Sequence, residues 1–329
     1  MGGIFLKVFF SMIIACCLFF TSAIAASAAF RDVGDTYWAR DEITYLTDKK
    51  IINGFIDGSF RPQAPVTRIQ AMIMMANALN LDLSNRPAPG FKDVSVMNSG
   101  YKHAAAIMDE GLFPKSTYLN PNEPMTRQLA ARMIASAFKL RAANNTSFKD
   151  VPSDYWAKPY ISALADHNIT IGYPDGTFRP YTTLTRAQFS VFLAKVLNED
   201  FKTFTFNHSS FNYQLELPNY MKTEMMFEDE IGEDGVRSTH FYYNNTKHLG
   251  YKPYLASVHI IPTSKLGYYE GAPFDLIKKH NHYYYYYQSV GEHPYMHPNP
   301  NLLKTNEAKM FESIQYRLTN ALYNLKTIK

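Results

Sequence analysis

The chain has 329 residues, a formal net charge of +4, 46% apolar residues and 15% aromatics. Those proportions belong to folded protein with material for two or three domains, and they exclude an intrinsically disordered chain. The charges are interspersed without a long basic run, so no nucleic-acid partner is expected, and the small positive balance favours an anionic one.

The first thirty residues, MGGIFLKVFFSMIIACCLFFTSAIAASAAF, carry one lysine, an apolar run, and then small residues with A-x-A cleavage options at Ala23–Ala25 and Ala26–Ala28. This pattern predicts a secretory signal peptide over residues 1–25, cut after Ala25, because Phe30 already opens a repeated unit. Thr21 and Ser22 interrupt the apolar run and no second apolar span follows, so no transmembrane span is expected after cleavage. Both cysteines, Cys16 and Cys17, fall inside the leader; a disulfide framework, a thiol nucleophile or a Cys-ligated metal is not expected in the mature chain. Ile13-Ile14-Ala15-Cys16 has the form of a lipoprotein box, but Leu18, Phe19 and Phe20 continue the apolar segment past it.

The next segment repeats a phrase. Phe-x-Asp-Val opens at Phe30, Phe91 and Phe148, and Thr-Arg recurs at Thr67-Arg68, Thr126-Arg127 and Thr185-Arg186, 59 residues apart each time. The first unit predicts helix, long loop, helix. In WARDEITYLTDKKI the residues Trp38, Ile43, Leu46 and Ile51 mark one face, and in TRIQAMIMMANALNL Ile69, Ile73, Ala76 and Leu79 recur at helical spacing. Between them NGFIDGSFRP carries the turn pair Asp57-Gly58 and then Arg61-Pro62, where proline disfavours helix before it. The third unit repeats this with Trp156, Gly172, Asp175-Gly176 and Arg179-Pro180. Thr67 and Thr185 fit N-caps, with Gln70 and Gln188 at capping-box spacing. Arg68 and Arg186 then sit at the first helical position, where a cation opposes the helix dipole; helix stability asks for no arginine there.

The middle unit departs from the pattern. Ser99 replaces the tryptophan, LFPKSTYLNPNEP replaces the Asp-Gly turn, and Leu129 stands where the capping glutamine would be, although Arg127 survives.

These features together resemble S-layer homology (SLH) domains: three tandem repeats at 30–83, 91–143 (degenerate) and 148–198. The resemblance implies a mainly α, pseudo-threefold helical spindle with grooves between adjacent repeats. It also implies a secreted protein of the Gram-positive cell wall or S-layer. Such a protein attaches non-covalently to a secondary cell-wall polysaccharide bearing a pyruvylated amino sugar. By position in the family motif, the glycan-binding candidates are Trp38, Gly54, Asp57, Gly58 and Arg68 in the first repeat, Arg127 in the second, and Trp156, Gly172, Asp175, Gly176 and Arg186 in the third. Chemically, a guanidinium suits a planar carboxylate, backbone N–H groups at a helix N-terminus can add to an anion site, and an indole face suits the apolar side of a sugar ring. Without the resemblance a lone tryptophan reads as core and Asp-Gly as a turn. In the family a groove takes its loop from one repeat and its arginine from a neighbour, which would leave up to two competent grooves here.

Residues 203–329 predict a small α+β domain with a mainly antiparallel sheet. In FNYQLELP the residues Phe211, Tyr213, Leu215 and Leu217 share a strand face. A hairpin follows with its tight turn at Asp234-Gly235, then strands in PYLASVHIIP and NHYYYYYQSV. The chain closes on a helix whose apolar stripe is Phe311, Ile314, Leu318, Leu322 and Leu325. Tyr283–Tyr287 would put three tyrosines on one face, either a sugar or peptide platform or a half-buried strand. His280, His282, His293 and His297 invite a metal reading, but Pro294 and the lack of an HExxH helix argue against it, so no metal or other cofactor is expected. No nucleophile elbow, P-loop or dinucleotide fingerprint is present, and no catalytic residue is assigned. The reading is a non-catalytic wall-bound protein displaying this domain; the alternatives are a wall-tethered enzyme acting through 203–329, or an adaptor binding another envelope protein.

Overall fold

The computed structural model describes residues 30–328 except 36, 145, 174, 245, 247, 248, 290, 292 and 296–299. The expected leader, Cys16, Cys17 and His297 lie outside the described residues. Among the described residues six helices make the first region: α1 (Arg40–Asp48), α2 (Arg68–Ala78), α3 (Tyr101–Asp109), α4 (Arg127–Ala137), α5 (Lys158–Asp166) and α6 (Arg186–Leu197). They fall two to each unit in chain order but pack across units, α1 on α6, α2 on α3 and α4 on α5. Thr67 and Thr185 cap α2 and α6 with complete capping boxes to Gln70 and Gln188. Thr126 precedes α4 without a side-chain cap and its hydroxyl is buried with no partner, and Leu129 has no acceptor for the reciprocal bond of a capping box.

A three-membered cycle of backbone bonds ties the units together. The Val66 N–H donates to Leu184 O (2.9 Å), Leu184 N–H to Met125 O (2.9 Å), and Met125 N–H to Val66 O (2.8 Å). Around this ring each long helix starts on the loop of the next unit: Arg68 N–H donates to Glu123 O, Arg127 N–H to Thr182 O, and Arg186 N–H to Ala64 O. The N–H groups one residue on bond Pro121, Pro180 and Pro62. The first N–H groups of these helices, ordinarily left unpaired, are thus consumed. This corrects the expectation of an anion site made from helix N-terminal N–H groups.

One apolar cluster runs through all three units. Ile43, Leu46 and Ile51 point into it as expected. The single stripe expected for α2 is overturned: Ile69, Ala71, Met72, Met74, Met75 and Ala76 are all buried, while Ile73 is only half-buried. The long helices occupy the centre of the bundle, so they bury far more than one face.

The second region holds a three-stranded sheet, β1 (Thr203–His208), β2 (Tyr213–Pro218) and β8 (Lys326–Thr327), in the order β1-β2-β8. After the short helix α7 (Met221–Glu224) comes an antiparallel sheet of β3 (Met225–Ile231), β4 (Arg237–Tyr243), β5 (Tyr254–Pro262), β6 (Asp275–His280) and β7 (Tyr283–Ser289), ordered β3-β4-β5-β7-β6. The β3–β4 turn carries Gly235 at φ +81°, the left-handed conformation that its Asp-Gly pair foretells. Helix α8 (Asn306–Tyr323) seats Phe311, Ile314, Leu318 and Leu322 in a core with Val258, Ile260, Tyr285 and Tyr287. Tyr285 and Tyr287 are therefore packing residues, and the tyrosine run is a half-buried strand; Tyr284 and Tyr286 stack on the outer face at 6.3 Å. No described helix is long and apolar enough to cross a membrane.

The two regions meet along α1 and α8. Glu42 of α1, 1% exposed, takes a bidentate ion pair from Arg317 (3.1 and 2.5 Å), and Ser313 bonds Asp41. Tyr45 packs on Phe201 at 5.2 Å.

Candidate functional site

The loops of the first and third units are built alike. The carboxylate of the Phe-x-Asp-Val aspartate clamps each one: Asp32 accepts from the N–H groups of Phe60 and Arg61 (both 2.7 Å), and Asp150 from Phe178 and Arg179 (2.8 and 2.7 Å). That clamp holds Arg61 and Arg179 at φ near +58°, a conformation costly for a residue with a Cβ. Their guanidinium groups compensate by lying 3.9 Å over the rings of Phe55 and Tyr173 and reaching Asp57 (3.2 Å) and Asp175 (2.9 Å).

Asp57 and Asp175 also accept from the backbone and hydroxyl of Ser59 and Thr177. The Ser59 hydroxyl, above all, holds Asp57 well below the usual carboxylate range, and the Thr177 hydroxyl followed by Arg179 brings Asp175 to about 2. Both aspartates are thus staples of their own loops. Gly54 and Gly172 serve packing: a Cβ there would come 2.3 Å and 2.4 Å from the rings of Phe30 and Phe148. Gly58 and Gly176 supply φ of +77° and +80° for the turn.

Beneath each loop lies an arginine from another unit. Arg186 sits under loop one, its Nε donating to Phe60 O (2.8 Å) with the rings of Phe60 and Phe55 at 4.6 and 4.9 Å. Arg127 sits under loop three, bonding Phe178 O (2.8 Å) against Phe178, Tyr173 and Phe192. They are 6% and 5% exposed, and neither has a carboxylate partner among the described residues. Desolvation lowers both pKa values, that of Arg186 to about 10, so it remains a cation at neutral pH. A buried, uncompensated guanidinium is costly and leaves an opening for an anion. Arg68 goes with the degenerate loop two, bonding Leu119 O (2.7 Å), and there Glu123 already neutralises it at 2.8 Å.

The groove at loop three, about 180 Å³, joins expected residues of all three units: Trp38 of the first, Arg127 of the second and Gly172 of the third line it together. Asp175 and Gly176 stand in the same loop. Tyr173 and Lys195 complete the wall. Burial lowers the Lys195 amine to about 8. The sequence reading missed Lys195, whose signal is its being the lone basic residue past the start of an apolar helix. Trp156, 46% exposed, lies elsewhere, in a depression with Arg141, Tyr155 and Tyr160. Loop one therefore unites Gly54, Asp57, Gly58 and Arg186, loop three unites Gly172, Asp175, Gly176, Arg127 and Trp38, and Arg68 and Trp156 fall outside both. Among the described residues no group of three or more His, Cys, Asp or Glu is placed to hold a metal ion.

The S-layer homology domain model matches residues 29–72 and 147–190, the first and third units. Over 177 residues, 52% of the chain, it is 31% identical to an S-layer protein of Bacillus thuringiensis subsp. finitimus and 32% identical to the S-layer protein sap of Bacillus anthracis, covering 21% of each. Over 185 residues, 53% of the chain, it is 29% identical to an uncharacterized cell wall amidase of Bacillus anthracis, covering 33% of that protein. The chain thus spans about a fifth to a third of the length of these relatives. The motifs, the loops they build and the matched stretches agree: this is a protein with S-layer homology domains, at residues 29–72 and 147–190.

Proposed function

We propose that this chain is a cell-surface protein held non-covalently on anionic cell-wall polysaccharide, through residues 30–198, and that it carries its sheet domain as cargo. The observation that carries the reading is the Arg127 guanidinium, buried without a carboxylate partner among the described residues and lining one groove with the Trp38 indole. A sugar bearing a ketal pyruvate supplies what that groove lacks: a carboxylate for the guanidinium and an apolar ring face for the indole. Loop one with Arg186 offers a second such cation. The middle unit acts as scaffold and as donor of Arg127.

The test is sedimentation of the chain from residue 26 onward with Bacillus wall sacculi, before and after chemical removal of the secondary polysaccharide. Binding is expected to depend on the polymer and to fall at least tenfold in Arg127→Ala, with the melting temperature showing that the variant is folded. Equal binding to stripped sacculi would sink the reading.

The amidase relative favours a second reading, in which residues 203–329 act on envelope polymers and the helical region is their tether. Release of soluble fragments from sacculi by the chain would support it. Capture of a defined envelope protein by the sheet domain would instead make the chain an adaptor.

A further inference from the structure

The loop-three groove does not end at the helical region. It opens into a larger cleft of about 980 Å³, and Trp38, Ile171, Gly172 and Tyr173 line both. The opposite wall of that cleft belongs to the sheet domain. Tyr316 and Asn320 of α8 and its C-cap residue Asn324 stand at four-residue spacing, and Lys278 of β6 and Lys326 of β8 border them.

Helix α8 thus shows three sides. Its apolar stripe fills the sheet-domain core, and Ser313 and Arg317 bind α1 through Asp41 and Glu42. The third side faces the cleft with amides and aromatic rings. Each amide is fixed along the helix, Asn320 Nδ2 donating to Tyr316 O (2.9 Å) and Asn324 Nδ2 to Asn320 O (2.8 Å). The ion pair with Glu42 holds this wall against the helical region before any ligand arrives, so little ordering cost remains for binding. Lys278 has no carboxylate partner among the described residues, whereas Lys326 stands 3.8 Å from Glu216.

We propose that the sheet domain completes the wall-polymer site: the cleft between α8, Lys278 and loop three binds the sugar units that follow the one held at Arg127, along the same anionic chain. The inference rests on the glycan reading given above. Its volume lies at the top of the range of about 300–1,000 Å³ usual for ligand pockets and exceeds the roughly 180 Å³ of the groove it continues. Amides, tyrosine rings and an unpaired ammonium group match hydroxyls, ring faces and recurring negative charge.

The experiment is calorimetric titration of the chain from residue 26 onward with size-fractionated wall polysaccharide from Bacillus sacculi, comparing one repeating unit with several. The unaltered chain should bind the longer fragments at least tenfold more tightly. In the triple variant Lys278→Ala, Asn320→Ala, Asn324→Ala that gain should shrink to within twofold of single-unit binding, while single-unit binding itself stays the same. Single-unit binding is expected to disappear in Arg127→Ala. A length gain that persists in the triple variant, or is missing in the unaltered chain, overturns the extended site and leaves the groove standing. Single-unit binding that survives Arg127→Ala, or binding of no fragment by the unaltered chain, overturns the groove and the extension together. Lys278→Glu is the second variant, in case the triple one melts early, and should likewise abolish the length gain by placing a carboxylate in the cleft.

Discussion

Loop three and loop two occupy equivalent places in the ring, yet only one is equipped for a ligand. From the left-handed residue that ends the short helix to the buried residue ahead of the proline, loop three runs from Asn168 to Phe178 and loop two from Gly111 to Leu119, two residues shorter. Both are clamped in the same way: Asp93 accepts from Leu119 and Asn120 N–H groups (2.9 and 2.7 Å), as Asp150 does from Phe178 and Arg179. Both rest on an arginine from the preceding unit. Loop three leaves that arginine unpaired, whereas loop two supplies Glu123 to it. The middle unit has kept every bond the ring needs and filled the position an anion would take. The difference separates residues that hold the module together from residues that make it bind.

The strongest way to break this comparison is to damage loop three where loop two has no counterpart. Gly172→Ala would drive a Cβ to 2.4 Å from Phe148 and 2.7 Å from Thr177 O at φ +73°, and should cost about 3 kcal/mol in urea unfolding. Next come the clamps, where the two loops should behave alike: Asp93→Ala and Asp150→Ala each remove two charge-assisted bonds from a half-buried carboxylate and should each cost about 2 kcal/mol. A large effect at Asp150 with none at Asp93 would mean that the middle unit is no longer part of the frame.

Lys195 provides a pH test confined to the loop-three groove. Its pKa is lowered to about 8 by burial, so the unfolded chain holds the extra proton between about pH 8 and the ordinary lysine value. Stability should therefore rise with pH through that window, by more than in Lys195→Met. Wall binding should move the other way, weakening several-fold between pH 7 and 9 as the cation is lost, and Lys195→Met should flatten that profile. The smallest effect is expected at Glu123→Gln. A partly exposed ion pair is worth about 0.5 kcal/mol, and freeing Arg68 should yield no wall binding, because loop two is too short to build the groove.

The parts legible in the sequence are those governed by local chemistry. Thr67 with Gln70 and Thr185 with Gln188 announce helix starts, Asp234-Gly235 announces a hairpin, and the stripe from Phe311 to Leu322 announces a helix packed on a sheet, although Leu325, expected on the same stripe, falls past its end. Long-range partnerships were hidden from local chemistry, and only the family resemblance put loop and arginine in different repeats. Chain order puts Arg68 beside loop one, but the cyclic exchange moves it to loop two and brings Arg186 back from more than a hundred residues away. Hydrophobic period fails for α2 because a central helix has apolar neighbours on several sides, so Met72 and Met75 are as buried as any predicted position. Edge strand β6, DLIKKH, lacks the alternation of a half-buried strand and was not expected. Nor could a stripe analysis of α8 show that Asn320 and Asn324, on its polar side, face another region of the chain.

The cycle through Val66, Leu184 and Met125 has a kinetic meaning as well. Its bond from Val66 to Leu184 joins residues more than a hundred positions apart, which raises contact order and delays that contact until most of the region is present. A chain that leaves a translocation channel N-terminus first cannot close this ring while Leu184 is still inside. Helix α1 must wait for α6 of the third unit to emerge, although α2 can already pack on α3 of the second. Truncation before α6 would leave α1 without the helix it packs against.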